Sequence, residues 1–96
     1  MKDKRKAYEE KLDVQFEEWK SQIAFLKAKA DKAKADVKIG YYKRIEALES
    51  KQEVAGKKLR ELKNAGDETW EEFKIGTEKA WNEVKTAYHK TVSKFK

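Results

Sequence analysis

Three Glu-Glu doublets, one histidine and a scatter of serines and threonines are the side chains through which this chain of 96 residues could do chemistry. Paired carboxylates such as Glu9-Glu10, Glu17-Glu18 and Glu71-Glu72 are the groups that general acid–base catalysis or a divalent metal would use. Helical bundles build metal sites from Glu-x-x-His pairs on an apolar face. No such pair occurs, because Glu83 lies six residues before His89. Ser21, Ser50 and Ser93 have neither a glycine-rich elbow nor a histidine at suitable spacing, so an activated hydroxyl nucleophile has no support. Cysteine is absent, which excludes thiolate chemistry, disulfides and Cys-type zinc sites. No GxxxxGKS/T or GxGxxG run cradles phosphate. The expectation is a protein that is not an enzyme, with no catalytic residue, metal, cofactor or small-molecule substrate. The doublets then belong to solvated helix faces, and His89 to the surface of a helix.

What carries information is the spacing of the apolar residues. Tyr8, Leu12, Phe16, Trp19, Ile23, Leu26, Ala30, Ala33, Val37, Tyr41, Ile45, Leu48, Gln52, Ala55, Leu59 and Leu62 follow one another at steps of three or four. Such steps place one stripe along a helix. Successive fours around Tyr41 are a stutter, which locally unwinds a left-handed coil. Proline is absent, consistent with long helices, in whose interior it costs about 3 kcal/mol. Gly40 and Gly56 each cost about 1 kcal/mol there, but neither is flanked by other breakers, so the helix reads through both. The tandem Lys27-Ala-Lys-Ala-Asp31 and Lys32-Ala-Lys-Ala-Asp36 repeats with a period of five, out of phase with a helix, and is read as helix-forming composition. One helix is expected over 5–63, about 90 Å long at 1.5 Å per residue.

A turn is expected at 64–68. Gly66 offers a left-handed helix stop, and Thr69 with Glu72 has the spacing of a capping box. Over 69–95, Trp70, Phe73, Thr77, Trp81, Val84, Tyr88, Val92 and Phe95 form the next stripe. Several of these lie eleven apart, a spacing that favours a straight or slightly right-handed helix. The fold class is therefore all-α and single-domain over 1–96, an extended helical hairpin or coiled coil. The second helix has about half the length of the first and covers only 35–63, so Tyr8, Phe16, Trp19, Ile23 and Leu26 would lie bare. Soluble monomers avoid so large an apolar patch. Two solutions remain open: self-association, with an antiparallel homodimer favoured, or a break near 31–40 that yields three helices. Val14, Phe25, Ile39 and Val54 fall off the stripe, which suits a helix with two neighbours. The expected partner-helix contacts are Tyr8, Leu12, Phe16, Trp19, Ile23, Leu26, Val37, Ile45, Leu48, Leu59, Leu62, Trp70, Phe73, Trp81, Val84, Tyr88 and Phe95.

Leu, Ile, Val and Phe number only 18 of 96, while 44% of residues are charged. That places the chain near the border of disorder and implies a narrow interface with little stability to spare. The net charge of +6 resides wholly in residues 27–63, with twelve Lys/Arg against six Asp/Glu; residues 1–26 and 64–96 each carry six and six. Spread over about 56 Å of helix and interrupted by acids, this field suits weak, non-specific nucleic-acid contact rather than base reading. A lipid surface is the stronger alternative partner, through the amphipathic stripe of residues 69–95. The Glu9, Asp13 and Glu17 ridge would guide docking onto the basic middle of a second chain. With no signal peptide and no apolar run of about 20 residues, the expectation is a soluble, cytoplasmic protein.

The segments Tyr8-Glu-Glu-Lys-Leu12, Leu26-Lys-Ala-Lys-Ala-Asp-Lys-Ala33, Leu62-Lys-Asn-Ala-Gly-Asp-Glu-Thr-Trp70-Glu-Glu-Phe73 and Glu78-Lys-Ala-Trp81 resemble a family of short bacterial coiled-coil proteins catalogued as stress-response proteins after a cyanobacterial representative. The resemblance covers nearly the whole chain and is most specific in its C-terminal third. It implies a non-enzymatic bacterial protein with a role in stress, and it carries over no catalytic residue.

Overall fold

In a computed structural model that describes residues 2–94, the chain forms three helices: α1 (Lys2–Asp31), α2 (Ala35–Asn64) and α3 (Trp70–Ser93). No strand occurs among the described residues, and Phe95 lies outside them. The helices stack side by side into a rod of 52 × 18 × 18 Å. Ion pairs Lys27–Glu49 and Lys63–Asp13 set α1 antiparallel to α2, and Lys51–Glu83 sets α2 antiparallel to α3. Hence α1 and α3 run parallel.

The single helix expected over 5–63 is corrected by a link at 32–34, so the three-helix alternative describes the fold. Between Leu26 and Val37 the stripe offers only alanines, so continuing the helix there would bury nothing large. Bending instead forfeits two or three helical hydrogen bonds, each with a net value of about 0.5–1.5 kcal/mol. It brings Leu12, Trp19, Ile23 and Leu26 under cover, each contributing about 1.5–3 kcal/mol on full burial. Burial wins over helix propensity, which is a weak preference. Lys32 N–H and Ala33 N–H close the link by donating to the Lys29 and Ala30 carbonyls at 3.2 and 3.0 Å. The Tyr42 hydroxyl donates to the Asp31 carboxylate across it. Lys34 then turns extended (φ −64°, ψ 148°) and opens α2 without a side-chain cap.

The second link falls where expected, with different chemistry. No glycine takes a positive φ; Ala65 ends α2 in an extended conformation (φ −69°, ψ 145°), so Gly66 supplies no left-handed stop. Thr69 precedes α3 but caps no backbone N–H. Its hydroxyl donates back to the Gly66 carbonyl at 3.3 Å, and the capping box with Glu72 does not form. Glu71 and Glu72 still place negative charge in the first turn of α3, where the helix dipole favours it.

All three helices contribute to one core, with Ile45, Leu48, Leu62, Val84 and Thr77 fully buried. The Thr77 hydroxyl is satisfied by the Phe73 carbonyl at 2.8 Å, with the Lys58 carbonyl of α2 at 3.3 Å. Both glycines of α2 lie inside the helix, as read, but only one has a packing reason. A methyl group at Gly56 would meet Phe16 Cζ of α1 at 2.8 Å, whereas one at Gly40 or Gly76 would meet nothing within 4 Å. Gly56→Ala should therefore lower the melting temperature, because displacing the Phe16 ring outweighs the propensity gain. Gly40→Ala should gain about 1 kcal/mol and raise Tm by about 4–8 °C. Thermal unfolding of the two variants by circular dichroism checks the opposite signs.

Candidate functional site

The expected partner-helix stripe is spent inside the chain. Leu12, Trp19, Ile23, Leu26, Ile45, Leu48, Leu59, Leu62, Trp70, Trp81 and Val84 are buried in the common core, and Tyr8, Phe16 and Tyr88 pack half-buried against it. Val37 and Phe73 stand apart, 43% and 39% exposed. Val37 is in the first turn of α2. Phe73 borders a cleft between the C-terminal end of α2 and the start of α3, beside Lys57, Arg60 and Gly66. The uncovered N-terminal stripe that argued for a dimer is therefore covered by the chain's own α2 and α3. The stripe of α3 that would have faced lipid turns its tryptophans inward as well. No helix among the described residues is long and apolar enough to cross a membrane.

Large aromatic side chains bridge the gap between the parallel helices α1 and α3. Trp81 lies 4.9 Å from Trp19 and 6.3 Å from Phe16, centroid to centroid. Trp70 meets Tyr8 edge-on at 5.6 Å and 79°. A buried indole needs an acceptor for its N–H, and α1 supplies both: Trp81 donates to Gln15 Oε1 at 2.8 Å and Trp70 to Glu9 Oε2 at 2.9 Å.

Around Trp70 these contacts form a polar node at the end of the rod where α1 begins and α2 ends. Arg5, 19% exposed at its side chain, pairs with Glu9 and Asp67 at 3.0 Å. It also donates to the carbonyls of Leu62, Lys63 and Ala65 at 3.2, 3.1 and 2.6 Å. Those are the carbonyls that a helix end leaves unsatisfied, and a cation there also meets the negative end of the dipole. The guanidinium lies 5.7 Å from the Trp70 ring. Next to it, a cleft of about 570 Å³ opens between Lys4, Tyr8, Trp70, Glu71 and Lys74. Lys74 Nζ sits 4.9 Å from the Tyr8 ring and 5.7 Å from that of Trp70. The cleft's aromatic faces thus already hold a cation of the chain itself.

The Tyr8 hydroxyl donates to Glu78 at 3.2 Å. Burial first, and then the negative charge of Glu78, push its pKa up to about 12. A phenol so held is neutral at physiological pH and acts there as a hydrogen-bond donor rather than a base. The acidic ridge is likewise engaged within the chain: Glu9 with Arg5, Asp13 with Lys63 at 2.7 Å, Glu17 with Lys20 at 3.4 Å. His89 is exposed next to Tyr88. No group of three His, Asp or Glu side chains among the described residues could hold a metal ion.

Arg5 and Glu9 at this end, and Gln15 farther along α1 beside Trp81, are the residues that sequence reasoning missed. Glu9 and Gln15 flank the stripe at positions where an indole could find an acceptor, which is the one available signal; nothing local marks Arg5. No family model, no curated protein and no solved structure was found to match the chain.

Arg5→Ala should destabilise the fold by about 2–3 kcal/mol through loss of charge-assisted bonds, and Arg5→Lys should recover little, because an ammonium cannot fork between carbonyls and carboxylates. Denaturant unfolding of the two variants measures both. The alkaline limb of stability supplies a second check. The fold favours the neutral Tyr8 phenol, so this contribution is complete below the ordinary pKa of 10.0 and disappears as pH rises toward about 12. Tyr8→Phe should flatten that part of the stability–pH curve relative to the parent protein.

Proposed function

We propose that the chain is a non-enzymatic helical interaction protein, acting in a bacterial stress response, that self-associates by exchanging α1 between two copies. The observation that carries this reading is the link at 32–34. It contains no glycine or proline and lies within a run of alanine and lysine, residues that favour helix. Two short-range backbone bonds close it, and Lys34 makes no side-chain cap. Apolar or small residues continue at helical steps across it, through Leu26, Ala30, Ala33 and Val37. Straightened, the link joins α1 to α2 as one long helix, and α1 then packs on the α2–α3 pair of the second copy with the contacts it makes within the single chain. Domain exchange of this kind adds little new energy, because the interface already exists.

The stress role rests on the resemblance of residues 62–73 and 78–81 to the bacterial family named above. Partner binding through the outer faces is supported by the exposed side chains of Val14, Phe25 and Ile75.

Ala35→Pro tests the exchange directly. Ala35 opens α2 directly after the extended Lys34, the first helical position that proline favours, following the extended residue that proline requires. In a continuous helix the same proline costs about 3 kcal/mol. The parent protein should show a dimer fraction that grows with concentration in light scattering. Ala35→Pro should remain a monomer with an equal or higher Tm. A parent protein that stays monomeric at every concentration, or an Ala35→Pro variant that dimerises equally, overturns the exchange.

A further inference from the structure

The two ends of the rod differ in kind. The link at 32–34, the start of α2 and the last turns of α3 all come to one end of the 52 Å rod, because α2 runs antiparallel to both other helices. Residues 27–46 and 85–94 carry ten Lys/Arg against Asp31, Asp36 and Glu46, while the rest of the chain carries fourteen against fifteen. A sequence-central excess has thus become one basic end, but charge of one sign on open surface selects no particular ligand. The opposite end holds a recess with different chemistry on each wall, the cleft of about 570 Å³ between the start of α1 and the start of α3. A volume of that order is typical of small-molecule sites.

The rings of Tyr8 and Trp70 meet at 79° and form a corner in which one cation can face both. Lys74 Nζ occupies that corner, 4.9 and 5.7 Å from the two ring centroids and so within the ~6 Å reach of a cation–π contact. Its only carboxylate, Glu78, lies 4.0 Å away and also accepts the Tyr8 hydroxyl. Glu71 adds a second negative charge on the α3 side of the cleft. The corner is therefore suited to positive charge, and the cation now in it sits at the end of a flexible side chain. A primary ammonium is strongly hydrated, whereas a quaternary ammonium is the cation that aromatic faces recognise best. A bare quaternary cation would leave the displaced Lys74 beside it as an uncompensated like charge. A zwitterion removes that conflict, because its anionic end receives the displaced ammonium. Lys4 lies one turn before Tyr8 on the same face of α1. It is exposed on the cleft rim and has no carboxylate partner among the described residues, so it meets the same anion. Arg5 is already engaged by Glu9, Asp67 and the α2 carbonyls. We propose that the Tyr8–Trp70 corner is a site for a small zwitterion that carries a trimethylammonium group close to a carboxylate or phosphate. The methylated nitrogen replaces Lys74 Nζ between the rings, and Lys74 and Lys4 hold the anionic end. The site does not depend on exchange of α1, since the same walls form whichever copy supplies that helix.

The experiment titrates the full, isotope-labelled chain with glycine betaine and with phosphocholine and follows the indole N–H resonances by NMR. The Trp70 resonance should shift saturably, while those of Trp19 and Trp81 stay in place. Glycine has both charges but no methyl groups, and tetramethylammonium has the methylated cation but no anion. Each should bind about three- to tenfold more weakly than glycine betaine, the worth of one cation–π or exposed charge contact. Lys74→Met separates a ligand site from a merely structural lysine. With the corner vacated and the anion contact removed, tetramethylammonium should bind more tightly than it does to the parent, and glycine betaine should lose its advantage over it. Tyr8→Leu, which removes one ring, should weaken glycine betaine about tenfold, and Tyr8→Phe should recover most of that loss. Circular dichroism and unmoved Trp19 and Trp81 resonances verify that each variant is folded. Pelleting with phosphatidylcholine vesicles identifies a lipid headgroup as the source of this chemistry, and its absence identifies a free solute. The proposal is overturned by a Trp70 resonance that responds to neither zwitterion, by glycine shifting it as strongly as glycine betaine, or by a Lys74→Met variant that keeps the parent's preference for glycine betaine over tetramethylammonium.

Discussion

Trp81 fills the space that two parallel helices leave between them, and the remaining architecture follows from the need to enclose it. Its ring lies tilted against those of Trp19 and Phe16 while its N–H reaches Gln15. An indole that size requires apolar walls on several sides and one polar acceptor, and only a third helix lying against the α2–α3 pair supplies both. α1 must therefore fold back, which sets the link at 32–34, and its first turn must reach the far end of α2. There Arg5 closes the exposed carbonyls of α2, while Glu9 is shared between Arg5 and the second indole, Trp70. One bulky side chain thus accounts for the three-helix arrangement and for the polar node that terminates it.

Much of this was legible in the sequence. The helical class, the turn after residue 64 and the membership of the apolar stripes follow from steps of three and four, which report a helix face irrespective of what covers it. The identity of the cover was not legible. Spacing alone does not distinguish a second chain from the same chain returning, and the alanine-rich stretch between Leu26 and Val37 favours helix by composition. The bend arises from burial summed over α1, a non-local quantity. The details of the second link failed for a related reason. Gly66 and Thr69 have the residue types of a helix stop and a cap, but Arg5, about sixty residues away in sequence, satisfies the Leu62 and Lys63 carbonyls that a left-handed glycine stop would have served.

The candidate site follows the same division. Most of the residues expected between partner helices pack within the single chain, while Val37 and Phe73 stay exposed and Phe95 lies outside the described residues. Glu9, set aside within a solvated doublet, accepts the Trp70 N–H, and Asp13, placed on a ridge meant for the basic middle of a second chain, pairs with Lys63 in the middle of its own. Gly56 read as an unexplained weakness in α2, whereas Phe16 of α1 rests against it. Polar and glycine positions acquire their roles from long-range neighbours, so local pattern understates them.

The gathering of positive charge at one end gives the rod a permanent dipole along its long axis. A uniformly charged particle near a charged boundary is only pulled; a polar rod is also turned. The torque acts at a distance set by ionic screening, before any side chain touches. Tumbling is then biased so that the link between α1 and α2 leads, and the opposite end, where Arg5 binds the α2 terminus, trails. Orientation on approach is thereby decided by how the helices are folded back, without any change in which residues the chain contains.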